Sequence, residues 1–166
     1  TCCVGINNRK AARIAGRLMG QFLGGTGKIA VVSSAIASEN NNYYVQVRET
    51  EFADFIHKEY PDIEIITTLD SFEDPQITYE KTVKLLRDYQ DLQGIYITCG
   101  GVSQVGRALE ESGRAKDIRV ISFEDYPEVV DLIRKDVIDC TLAGELQQQG
   151  EIPVQIIMDY LVFGKE

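Results

Sequence analysis

The chain has 166 residues, 44% hydrophobic and 26% charged, and carries a net charge of −9. That length and balance fit one ordinary globular domain with a sizeable core, residues 1–166. The acidity argues against a nucleic-acid-binding face on this segment, which would need clustered Lys and Arg. No run of about 18 apolar residues occurs, so nothing in the sequence spans a membrane as a helix.

The start, TCCVGINNRK, has no initiator Met and lacks the charged-then-apolar layout of a signal peptide. We read the chain as part of a longer protein. After a short apolar run at 4–6, Ala11, Ile14, Ala15, Leu18, Met19, Phe22 and Leu23 recur at the spacing of one helical face. Gly24 and Gly25 stop that helix. Residues 28–34 (KIAVVSS) read as a buried strand, and 35–44 as a polar loop. A second helix turns Phe52, Phe55 and Ile56 inward and ends before Pro61. A second strand follows at 63–69 (IEIITTL), then a loop over 70–76. Tyr79, Val83 and Leu86 mark the next helix, and 94–99 (GIYITC) the third strand. Val102, Val105 and Leu109 mark a helix ended by Gly113. The fourth strand is 119–124 (RVISFE), followed by a helix over 127–135, and the fifth strand is 139–143 (DCTLA). The last helix runs through Ile152, Ile156, Ile157, Tyr160 and Leu161. Near-continuously apolar strands alternating with helices predict an α/β fold, a doubly wound parallel sheet with helices on both faces. Ligands of such sheets lie at the carboxyl ends of the strands.

Those ends carry Ser33 and Ser34, Asp70 near Phe72, Cys99 before Gly100-Gly101, Glu124-Asp125, and Gly144-Glu145, with Arg48 after the first strand. One arginine, several carboxylates and an aromatic ring suit a small polyol. Charged groups make paired hydrogen bonds with hydroxyls, and a ring packs on the apolar sugar face. The same residue types also cap helices and solvate turns, and composition alone leaves both readings open.

Other motifs carry no chemistry. Gly24-Gly25-Thr26-Gly27-Lys28 is not GxxxxGK[ST] and joins a helix to a strand, the reverse of a P-loop. The glycines at 100, 101 and 106 do not form GxGxxG. The single histidine, His57, has no triad partners, and no serine lies in a GxSxG elbow. We therefore expect no enzyme activity, no metal and no cofactor. Cys2, Cys3, Cys99 and Cys140 include no CxxC pair. Cys99 and Cys140 fall in predicted strands as small buried hydrophobes, and unpaired thiols point to a reducing compartment, the cytoplasm.

The order of VGINNRKAARIAGRLM, GKIAVVSS, VRETEFADFI, GIYITCGG, RVISFEDYPEVVDLIRKDVIDCTLA and QQQGEIPVQIIMDYLVFGK resembles the type I periplasmic-binding-protein fold. The likeness covers nearly the whole chain. It is nearest to the sugar-sensing domains of LacI/GalR-type transcriptional regulators, and to ribose-type solute-binding proteins. The resemblance implies that this is the C-terminal lobe of a two-lobed sensor, with a sugar effector between the lobes. The other lobe and a DNA-binding domain would lie outside the chain, so operator DNA is a partner only through the missing part, and the whole would be a homodimer. Arg48, four residues before Phe52, matches the arginine that contacts the effector. Glu124 after Phe123 matches the strand-end acid that holds sugar hydroxyls, and Phe72 the aromatic that stacks on the sugar. Asp70, Cys99, Asp125 and Glu145 complete the expected site. The chain departs from the family where Cys99-Gly100 replaces Asn-Asp and Gly144 replaces Gln. The alternative implied is a sugar-binding protein of an ABC transporter or a periplasmic sensor.

Overall fold

The computed structural model describes residues 4–34 and 43–164. Residues 35–42 of the expected loop, with Cys2 and Cys3, lie outside them. Helix α1 (Asn8–Phe22) precedes a regular alternation: β1 (Thr26–Ser33), α2 (Tyr43–Glu59), β2 (Asp62–Asp70), α3 (Pro75–Asp88), β3 (Leu92–Ile97), α4 (Val102–Ser112), β4 (Arg119–Phe123), α5 (Pro127–Arg134), β5 (Cys140–Leu142) and α6 (Leu146–Phe163). The five strands form one parallel sheet in the order β2-β1-β3-β4-β5.

Alternation along each strand sends side chains to opposite faces. Ile29, Val31, Tyr96, Ile121 and Phe123 meet Ala12, Ala15 and Met19 of α1 and Phe52 and Ile56 of α2. Ala30, Val32, Ile95, Ile97 and Val120 meet α3, α4 and α5 through Leu85, Val105, Leu109, Val129 and Leu132. Burial on both faces is why the strands read as unbroken apolar runs.

The first two helices are close neighbours because α1 carries glycine where α2 approaches. A Cβ on Gly16 would lie 2.7 Å from Phe55 Cδ1, and one on Gly20 2.2 Å from Tyr60 Cε2. Arg9 and Arg13 of α1 both donate to the carboxylate of Glu51 on α2. Asn7 caps α1, its side chain accepting from the Lys10 N–H at 3.0 Å.

Two expectations fail. Ile14 and Phe22 are exposed, because the inward stripe of α1 runs through its small residues instead. Val83 is exposed as well. Thr78 and Thr82 hold the buried face of α3, with hydroxyls satisfied by the Asp74 and Thr78 carbonyls. Helix α6 has no buried residue. Ile152, Ile156, Ile157, Tyr160 and Leu161 are 40%, 41%, 56%, 60% and 71% exposed. Apolar residues occupy most of the circumference of this helix, and none of them is buried among the described residues. No helix of the described residues is long and apolar enough to cross a membrane.

Candidate functional site

The strand order places β1 between β2 and β3, so the chain steps outward from β1 to β2 and then crosses back over β1 to β3. A crevice opens outside the carboxyl ends at such a switch point. Arg48 reaches it from α2. Its Nε donates to Asn8 Oδ1 at 2.7 Å and its NH1 to the Thr98 carbonyl at 2.9 Å, just past β3. The guanidinium carbon lies 3.9 Å from the centroid of the Phe123 ring. The remaining N–H donors have no partner among the described residues. Burial pulls the Arg48 pKa below its ordinary value, opposed by Tyr96, Glu124 and Cys99. An arginine keeps its charge under such a shift.

Tyr96 lies beneath this group, stacked on Phe52 at 4.1 Å and fully buried. Its hydroxyl has no partner among the described residues, and burial raises its pKa far above the ordinary tyrosine range. Glu124 follows β4 with φ of 78°, a left-handed conformation that costs a non-glycine residue roughly 1–2 kcal/mol. Strand β5 holds it there. The Glu124 N–H donates to the Leu142 carbonyl at 2.9 Å, and the Thr141 hydroxyl donates to the Glu124 carbonyl at 2.5 Å. Its carboxylate raises the pKa of the exposed Tyr126 hydroxyl.

The turn after β2 is strained as well, with φ of 53° at Phe72 and 55° at Glu73. Asp70 Oδ1 accepts from the Phe72 N–H at 3.0 Å, and Ser71 Oγ accepts from the Glu73 N–H at 3.2 Å. The Ser71 N–H donates to the Ser33 carbonyl at 2.7 Å. Ser34 Oγ donates to Glu73 Oε1 at 3.0 Å, joining the ends of β1 and β2. The Phe72 ring is 53% exposed, with Lys81 Nζ 4.5 Å from its centroid. Cys99 is buried against Ser71 Oγ at 3.4 Å, and desolvation pushes its thiol up.

The structure thus brings Glu124 and Cys99 each within electrostatic reach of Arg48. Asp70 and Phe72 form the neighbouring turn. Asp70 braces that turn through one carboxylate oxygen, and Cys99 lies under it at 5% exposure. Asp125 is exposed beside Tyr126. Glu145 is exposed at the start of α6, where Gln148 donates to its carboxylate. Sequence reasoning missed Asn8, Ser71, Glu73 and Tyr126. Asn7-Asn8 does signal a helix start, but no local pattern shows that Asn8 meets a side chain 40 positions later.

The periplasmic binding protein domain family matches residues 1–166. Among solved structures, the sugar-binding protein of a sugar ABC transporter from Bacillus halodurans aligns with a TM-score of 0.88 and 29% identity. The match covers 98% of this chain and 55% of that one. AraP, an arabinose binding protein from Geobacillus stearothermophilus, aligns with a TM-score of 0.83 and 28% identity, over 93% of this chain and 52% of its own. GanP, a glucose-galactose binding protein from the same organism, gives 0.86 at 24% identity over 98% and 56%, a likeness of fold alone. No curated protein matches the chain. The chain spans about half the length of these solved relatives. With all 166 residues matched and the five-stranded parallel sheet in place, the chain belongs to the periplasmic binding protein domain family.

Proposed function

We propose that this chain is one sugar-binding lobe of a two-lobed receptor, and that the receptor captures a sugar for an ABC transporter. The observation that carries this reading is Arg48. It is a half-buried guanidinium fixed on Phe123 beside Glu124, with donors that no described residue takes at the carboxyl edge of the sheet. Arg48 grips sugar hydroxyls, Glu124 accepts hydrogen bonds from them, and Phe72 stacks on the apolar face. No step of bond making or breaking is involved. The names of the two solved relatives above 25% identity support a sugar as ligand and transport as the setting. The bare apolar surface of α6 fits the same reading, since the half of the receptor outside this chain would cover it.

The test is calorimetry on the full-length protein with D-arabinose, L-arabinose, D-galactose, D-glucose and D-fucose. One of these is expected to bind, and Arg48→Ala to weaken it about 10- to 100-fold, the range for a charge-assisted hydrogen bond. Unchanged affinity in that variant would sink the assignment. The isolated 166 residues should bind weakly or not at all, because half of the cleft contacts are missing.

A second reading is favoured by the free thiols of Cys99 and Cys140, which suit a reducing cytoplasm. There the lobe would serve a LacI/GalR-type transcriptional regulator. Sugar binding would shift a dimer between states of different operator affinity. A helix-turn-helix at the start of the parent protein supports the regulator, and a signal peptide supports transport.

A further inference from the structure

We propose that Asn8 is the positioning residue for Arg48, and that its side-chain oxygen sets the angle at which the guanidinium faces the ligand. This rests on the sugar-binding reading above. Arg48 has a long side chain with about 2 kcal/mol of rotamer entropy. The Phe123 ring, its centroid 3.9 Å from the guanidinium carbon, holds the group over its face but has no directional bond to stop it turning there. Two hydrogen bonds remove that freedom, from Nε to Asn8 Oδ1 and from NH1 to the Thr98 carbonyl. The Thr98 acceptor is main chain, and the Thr98 N–H is itself held by the Val32 carbonyl at 2.9 Å. It is the same for any residue at that position. Asn8 is therefore the half of the clamp that side-chain chemistry controls.

The orientation of the Asn8 amide is itself determined. Its Nδ2 donates to the Ile6 carbonyl at 3.3 Å, which turns Oδ1 toward Arg48. The capping of α1 is done by Asn7, so Asn8 is not engaged in holding the helix start. The two adjacent asparagines thus divide the work. The first stabilises a helix, and the second aims an arginine across from another. The bond from Asn8 also links Arg48 to the segment leading into α1, so a rotation of residues 4–7 would re-aim the guanidinium.

The experiment uses the full-length protein and the sugar from the panel above that binds it. Asn8→Ala removes the acceptor without adding bulk and with a good helix former, and should weaken binding about tenfold. Asn8→Asp keeps an acceptor oxygen at the same reach and should bind within a few-fold of the native protein. A ligand-free readout accompanies both: the exchange rate of the Arg48 Nε–H in nitrogen-15 NMR, with the peak assigned by its loss in Arg48→Lys. Exchange should be slow in the native protein and in Asn8→Asp, and fast in Asn8→Ala. Slow exchange in Asn8→Ala overturns the proposal, as does equal loss of binding in both variants. If the native protein binds no sugar of the panel, the functional reading fails, and the exchange rates still decide what Asn8 does.

Discussion

A carboxylate in a left-handed backbone is a costly way to end a strand. Glu124 occupies one, held by a main-chain bond to Leu142 and by the Thr141 hydroxyl, both of β5. Glycine would relieve about 1–2 kcal/mol of strain there and return about 0.5–1 kcal/mol in added unfolded-state entropy. Glu124→Gly should therefore leave stability unchanged or raise it by about 1 kcal/mol while abolishing sugar binding. Urea unfolding beside calorimetry checks both halves, and a clear loss of stability would show that the carboxylate holds the turn. The position of Glu124 after Phe123 was legible in the sequence, because a strand end followed by an acid is a local pattern. Its backbone conformation was not, since neither glycine nor asparagine marks it. Asn8 was illegible for a different reason: its partner is brought to it only by the docking of α1 on α2.

That docking depends on the glycines of α1. Alanine at Gly20 places its Cβ 2.2–2.5 Å from three atoms of the Tyr60 ring. Overpacking costs about 1–3 kcal/mol, and better helix propensity returns about 1. Gly20→Ala should lose on the order of 1 kcal/mol in a urea melt. Gly150→Ala, with nothing within 4 Å, should lose nothing. On the opposite face, the Arg114 guanidinium donates to the Leu86, Tyr89, Gln90 and Leu92 carbonyls at 2.9–3.1 Å. It gathers the end of α3 and the start of β3. Arg114→Met leaves these acceptors without their cation and should cost roughly 2 kcal/mol by urea unfolding. A change below a few tenths of a kcal/mol would show that water replaces the clamp. Apolar spacing located α2, α4, α5 and every strand to within two or three residues. It could not orient α6, because a helix apolar around most of its circumference offers residues at inward spacing whichever way it sits, and only the three-dimensional structure shows that none of them is buried among the described residues.

At the scale of the molecule, both cores are complete without α6. A chain ending at Gly144 should keep the urea midpoint of the longer one, and a large drop would mean that the helix is packed in solution. Stability should depend on alkaline pH. Burial lifts the Cys140 thiol to about 11, and raises Cys99 and Tyr96. Groups whose folded pKa is raised contribute stability that is full below their unfolded values, near 8.5 for a thiol. That stability is lost as pH rises through the folded ones. The urea midpoint should therefore fall between pH 8.5 and 11, and less steeply in Cys140→Ala. Equal slopes would remove Cys140 from the account. The parallel architecture was legible because strands buried on both faces cannot be disguised as anything polar. The sheet also sorts its helices by task. Arg48 and Asn8 ride on the pair over one face, whereas α3, α4 and α5 cover the other. Substitutions among the three should change how much protein survives in a cell without changing which sugar it prefers. Substitutions beneath the pair should change both, so new ligand preferences are expected to arise from one side of the sheet.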